Sequence, residues 1–488
     1  MKIYNIRLGF ATNSSSTHSF TFFKKATDNW PSGKSFGWSF FTAASPEAKL
    51  DYLAATLFQN LDQYSSGEVA RKVTKMLLGV DLPIDGGGYS RWSVDHQSLL
   101  SLPQSWFGVT PDEQFLDHLR KFFETEDFVI LGGNDNDENS HSLAEDSFIL
   151  PIPTDSLNNW VCRWDPEYKY WSFFSRESGA KMRMRFEELR EKGGLESRYD
   201  RSCLPDHIRK AFAPELVDLK ITEVCSNDLP CKKYCYQSSG PKGKHCDLQT
   251  IEEVAKVFAS LKIFEVALGG GDPMDHPEFL KILHLFRKYG VVPSFSTRKT
   301  EWILYEELRT KIFEQIGAVG FSVNSSEEIQ EILTLLEENL GNLYPFSEKI
   351  KFHYVMGSTP LEELTKIVNL LTDRNCPLGT RNLLLLSFKN KGRGQSFKTF
   401  PYEDCIQMLL DHKVYHINAD TVFLQEFRQE VEERCPKMFL EFEEGKFSCY
   451  IDPIRGTMAP SSFVKEDQKV PFDPREGAER FKEIFSKF

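Results

Sequence analysis

The sequence predicts an α/β protein built around a parallel sheet curled into a partial barrel. Two observations carry this. From residue 217 onward, short β-branched runs alternate with amphipathic segments of helical period. Successive strand starts then fall 47, 29, 25, 32 and 32 residues apart, the spacing of βα units with one longer first loop. Six such units in series predict a (βα)6 partial barrel, whose chemistry sits at the C-terminal ends of its strands.

The expected strands are Val217–Thr222, Phe264–Leu268, Pro293–Thr297, Ala318–Val323, Ile350–Met356 and Asn382–Phe388. The expected helices are Thr250–Ser260, Pro277–Lys288, Tyr305–Gln315, Ser326–Leu340 and Leu361–Asp373. At 488 residues the chain exceeds what one hydrophobic core holds. Residues 1–195 are rich in aromatic residues without a repeating strand–helix unit, and predict an α+β N-terminal domain with a first strand over Ser19–Phe23. Residues 196–215 read as a linker, 216–395 as the barrel, and 396–488 as a small α/β extension packed on it. In that extension we expect helices over Tyr402–His412, Val422–Glu433 and Gly477–Phe488, with strands over Val414–Ile417 and Phe447–Ile451.

Lysine and arginine total 59 against 71 acidic residues, a net charge of −12, which argues against nucleic acid or an anionic membrane as a partner. No apolar run has the length of a membrane helix, and Met1 to Ser16 lack the apolar stretch of a secretory signal, so a cytoplasmic location is expected. In that reducing compartment the ten cysteines are not a disulfide framework. Cys225, Cys231 and Cys235 nonetheless share one short loop directly after the first strand, with Cys246 close behind. Three thiolates there suit zinc or an iron–sulfur cluster and leave one metal position open; adding Cys246 would complete a four-thiolate structural zinc site. After the second strand, Gly269, Gly270 and Gly271 allow a ligand close to the backbone, and Asp272 can meet an ammonium group.

Together these loops resemble the radical S-adenosylmethionine enzymes. The cysteine spacing is C-x5-C-x3-C here, against the family's C-x3-C-x2-C, and Tyr234 is the aromatic residue before the third cysteine. Gly270-Gly271-Asp272-Pro273 is similar to the family's Gly-Gly-Glu-Pro, with aspartate for glutamate. The continuation Cys235-Tyr236-Gln237-Ser238-Ser239, the following P-K-G-K-H over 241–245, and Lys389 to Gly394 resemble one subgroup. The resemblance implies a [4Fe–4S] cluster on Cys225, Cys231 and Cys235 with S-adenosylmethionine on its free iron. Reductive cleavage would then give a 5′-deoxyadenosyl radical that abstracts a substrate hydrogen. It further implies cosubstrate contacts from Tyr234, Gly269, Gly270, Gly271 and Asp272, and from the strand-end residues Ser296, Thr297, Ser322 and Asn324. An electron donor such as flavodoxin or ferredoxin is implied as a partner.

Glu444 to Phe463 resembles the end of a cysteine-rich auxiliary-cluster extension, but Ser461 stands at a ligand position and only Cys435 and Cys449 remain nearby. This leaves a degenerate copy, with an auxiliary cluster on those two cysteines as the alternative. Residues 7–20 resemble a short G-F-x-T-N-S-S-S opening signature, whose bland alternative is a loop feeding a strand. Asp95, His96 and Asp135 could bind a hard metal, although surface turns explain them as well. No catalytic residue is assigned. The large N-terminal region and the extension point to a peptide or protein side chain as substrate, with a nucleotide or small metabolite as the alternative. The rival to an enzyme is a non-catalytic interaction protein stabilised by zinc or iron–sulfur.

Overall fold

The computed structural model describes residues 160–185, 210–227, 230–373, 375–412, 416–433 and 440–488, residue 414, and short segments of the first 159 residues. The chain forms two compact units, residues 1–2 with 23–157 and residues 3–22 with 158–488. Asp95, His96, Asp135 and Cys435 lie outside the described residues, as do most of the N-terminal signature and of the expected linker.

Strands β1 (Lys2–Arg7) and β2 (His18–Thr21) open the chain. The first unit contains four short strands, β3 (Ser35–Phe36), β4 (Phe41–Ala43), β5 (Ser93–Val94) and β6 (Ile130–Gly132), paired β3 with β5 and β4 with β6.

The second unit begins with an antiparallel meander, β7 (Trp160–Asp165), β8 (Tyr170–Ser175) and β9 (Lys181–Arg185), on whose edge β1 adds a fourth strand. This meander therefore groups with the barrel unit rather than with residues 23–157. Its tie is polar. Glu215, fully buried just before the first barrel strand, accepts hydrogen bonds from Arg183 at 2.8–3.1 Å and from the Ser172 hydroxyl at 2.5 Å, and pairs with Lys181 at 2.8 Å. Burial alone would raise its pKa, but Arg183 and Lys181 hold the carboxyl well below the usual range.

The six expected barrel strands are β10 (Leu216–Thr222), β11 (Glu265–Gly270), β12 (Val292–Thr297), β13 (Val319–Val323), β14 (Ile350–Val355) and β15 (Leu383–Leu386). They pair in sequence order and all in parallel. The intervening helices are Leu248–Ser260, Phe279–Lys288, Glu306–Gln315, Ser326–Leu340 and Leu361–Thr372. Strand alternation sorts each strand into two faces. In β10, Val217, Leu219 and Ile221 join the apolar core, while Asp218 and Lys220 line the barrel bore.

The C-terminal region is not an add-on packed against the barrel. β16 (His416–Ala419) extends the sheet in parallel beyond β15, and β17 (Ser448–Asp452) pairs in parallel with β10 at the opposite end. Eight parallel strands thus run side by side. β18 (Thr457–Ala459) and β19 (Val470–Pro471) continue antiparallel outside β17, and β2 caps β16 antiparallel. The expected helix Val422–Glu433 is broken at Phe427 into Thr421–Glu426 and Arg428–Glu432. The final helix runs Gly477–Ser486. No helix among the described residues is long and apolar enough to cross a membrane.

Candidate functional site

The loop after β10 is closed at its base by its own backbone. Glu223 N–H donates to the Lys244 carbonyl (2.8 Å), Cys225 N–H to Gly240 (2.7 Å) and Cys246 N–H to Ile221 (2.9 Å), so the P-K-G-K-H segment folds back against the strand end. The segment between carries Cys225, Cys231 and Cys235, and all three line one cavity of about 230 Å3 at the C-terminal ends of the strands. Cys246 sits elsewhere, buried in the apolar core with its carbonyl accepting from the His276 ring. Burial raises the Cys225 and Cys231 thiols, with the Arg298 guanidinium opposing it at Cys231.

Gly269, Gly270, Gly271 and Asp272 line the same cavity, but their roles differ. A Cβ on Gly269 would meet nothing within 4 Å, so this residue faces open space. A Cβ on Gly270, whose φ is +117°, would overlap the Thr222 carbonyl, and one on Gly271 would overlap that of Val224. What approaches these two glycines is thus the cysteine loop itself, locked by Gly271 N–H to Thr222 O (2.8 Å) and Asp272 N–H to Val224 O (2.9 Å). We expect Gly271→Ala to destabilise the chain by about 1–3 kcal/mol through overpacking. Gly269→Ala should melt within a degree or two of wild type yet weaken any ligand in the cavity. Thermal melts of the two variants check this, and equal losses would contradict it.

Asp272 knits the site together. Its carboxylate accepts from the Thr297 hydroxyl (2.9 Å), the Asn227 amide (2.8 Å), Met274 N–H (3.1 Å) and Arg298 N–H (3.3 Å). One side chain thereby joins the cysteine loop, the glycine loop and the end of β12. Burial raises its pKa, and the Asn227 and Thr297 hydrogen bonds oppose the rise.

Ser296 and Ser322 line the cavity as well. Asn324 is buried in a polar knot: its amide donates to the Tyr234 hydroxyl (2.5 Å) and its oxygen accepts both Arg298 guanidinium nitrogens (2.6 and 2.7 Å). Tyr234 also packs on Phe388 and Phe397, which fixes the third cysteine's neighbour to the far strands. Of the turn after β15, Arg393 donates to the Lys232 and Ser239 carbonyls and so clamps the cysteine loop from above. Lys389 instead pairs with Asp420 at 2.9 Å.

The sequence reading missed Asp218, Lys220, Arg298, His353 and Tyr450, which share the cavity wall. A signal existed for two of them, since charged residues alternate with apolar ones in Leu216–Thr222. Behind this wall, burial lifts Glu444 to about 8. An acid whose folded pKa exceeds its unfolded value costs stability as pH rises between the two. Stability should therefore fall from about pH 4.5 to 8, and Glu444→Gln should flatten that slope. Denaturation at several pH values checks it; an unchanged slope would contradict it.

No family model matches the chain, and no curated protein matches it. Solved structures align with it at low similarity. Streptococcus suis SuiB bound to S-adenosylmethionine aligns at 12% identity with a TM-score of 0.37, over 54% of this chain and 64% of SuiB. Native anSMEcpe with bound AdoMet aligns at 14% identity with a TM-score of 0.38, over 55% of this chain and 80% of that one. SuiB bound to the precursor peptide SuiA aligns at 10% identity with a TM-score of 0.36, over 51% and 60%. The chain thus spans less than two thirds of SuiB's length.

Proposed function

We propose that the chain is a radical S-adenosylmethionine enzyme acting on a peptide or protein side chain. The observation that carries this reading is one shared cavity at the C-terminal ends of the parallel strands, lined by Cys225, Cys231 and Cys235 together with the glycine loop, while Cys246 lies in the core. Among the described residues no fourth thiolate for structural zinc lines this cavity. Among the described residues no three His, Cys, Asp or Glu side chains are gathered closely enough to chelate a single ion. A [4Fe–4S] cluster asks for less: its three thiolates bind three different irons, so they must face one space rather than one point. When bound and reduced, such a cluster supplies the electron that cleaves S-adenosylmethionine and so generates the hydrogen-abstracting radical.

The chain's own residues do the rest. Asp272, Asn324 and Arg393 hold the cysteine loop in register with the strands, and Gly269 leaves room beside it. Serine hydroxyls at positions 296 and 322 line the cavity and would hydrogen-bond the nucleoside. An electron donor of the flavodoxin or ferredoxin class completes the cycle. Deuterated candidate peptides, including one spanning Leu8 to Phe20, should transfer deuterium into 5′-deoxyadenosine. Labelling by a nucleotide or small metabolite alone would contradict the peptide class.

A further inference from the structure

The floor of the cavity holds a buried acid with an unpartnered oxygen. Asp218 is 3% exposed on the bore face of β10 and lines the cavity, yet its Oδ1 has no hydrogen-bond partner among the described residues. Beyond it, both Glu444 carboxyl oxygens are buried without a hydrogen bond of normal geometry, the Thr421 hydroxyl being a looser contact. The nearby cations are already committed. Lys220 pairs with Asp452 (3.1 Å) and Glu223 (3.4 Å), and Lys389 with Asp420 (2.9 Å). His353, also on this wall, is held neutral by burial, which lowers its pKa to about 3, and Arg298 is engaged by Asn324 and Glu328.

A buried carboxyl left unsatisfied costs about 1–3 kcal/mol, more if charged. Burial and the neighbouring Glu444 accordingly push the Asp218 pKa well up, with Lys389 opposing. Asp218, with Glu444 close enough to raise its pKa, leaves unbalanced acceptor capacity for one incoming cation. Asp218 lies four residues below the end of β10, roughly 13 Å at about 3.3 Å per residue. That depth separates it from the cysteine loop, and in register it lies opposite Ala267, two residues before Gly269, below the loop ends where a cosubstrate's amino group would sit.

We propose that Asp218, backed by Glu444, is a substrate subsite for an organic cation, the ammonium or guanidinium of a basic side chain. The inference rests on reading this cavity as a substrate chamber. Entry of the cation supplies the missing donors and draws Asp218 into its carboxylate form, its proton leaving to solvent, so that a charge-assisted pair replaces the neutral buried acid. Selectivity follows from the same arrangement, since an apolar side chain would leave both acids unpaired.

The test titrates the full-length protein calorimetrically with three probes: the lysyl peptide acetyl-Gly-Lys-Gly-amide, its norleucine counterpart, and n-butylammonium. Neither cluster nor S-adenosylmethionine is needed, so the outcome is independent of the radical chemistry. The lysyl peptide should bind and the norleucine peptide should bind at least tenfold more weakly. Asp218→Asn should lose at least tenfold in affinity for the lysyl peptide, and Glu444→Gln should lose affinity in the same direction if the first variant fails to fold. Binding of n-butylammonium alone would keep the cation subsite and overturn the peptide as its source. Equal binding of the lysyl and norleucine peptides, or wild-type affinity in a folded Asp218→Asn, would overturn the subsite.

Discussion

Cys231→Ala is expected to abolish both the brown iron–sulfur absorbance and all 5′-deoxyadenosine formation, whereas Cys246→Ala should leave both nearly unchanged. The physical reason is ligand economy. Cys225, Cys231 and Cys235 face the cavity, and a three-thiolate site has no spare donor once one is lost. Cys246 cannot substitute, because it is packed in the core with its thiol turned to the Asp247 carbonyl at 3.7 Å. Burial pushes the Cys246 thiol to about 12, and unlike the three loop cysteines it does not line the cavity. Iron content and visible spectra of the two reconstituted variants check the assignment. Metal loss in Cys246→Ala with retention in Cys231→Ala would reverse it.

Glu215→Ala is the second large expected effect, and it concerns the fold. The side chain is fully buried and holds Lys181 and Arg183, both nearly buried, at 2.8 Å each. Removing it takes away the carboxylate shared by two buried cations, and deleting one partner of a buried pair costs about 3–5 kcal/mol. Arg183 would retain only the longer contact to Glu441 at 3.8 Å and its stacking over Phe447. Because the Glu215 pKa is depressed, its contribution is complete above its unfolded value and fades as pH falls through the folded one. The chemical-denaturation midpoint should drop accordingly at neutral pH. A change below about 1 kcal/mol would mean that the meander is not anchored there.

The barrel strands and their helices were legible because parallel strands are buried on both faces and leave unbroken β-branched runs. Ser326–Leu340 emerges with the expected bounds, its Ser325 cap accepting from Glu328 N–H. What the sequence concealed were pairings between distant segments. β17 lies about 230 residues after β10, and no local pattern announces that Asp218 and Tyr450 are neighbours. The same holds for β2, which reaches β16 across nearly the whole chain. The cysteine and glycine loops were legible as motifs, but the division of labour within them was not. That Gly270 and Gly271 yield to the cysteine loop, while Gly269 faces space, depends on the register of two strands. Asp272 likewise reads as an ammonium partner from its neighbours in sequence, while its hydrogen bonds show it as the hub of three elements.

The central claim is that this cavity assembles a cluster able to cleave S-adenosylmethionine. Anaerobic reconstitution of the full chain with iron and sulfide, followed by reductant and S-adenosylmethionine, tests it most directly. The account predicts about four irons and four sulfides per chain, together with release of 5′-deoxyadenosine that stops in Cys231→Ala. Tightly held zinc in place of iron, with no 5′-deoxyadenosine under any reductant, would contradict it.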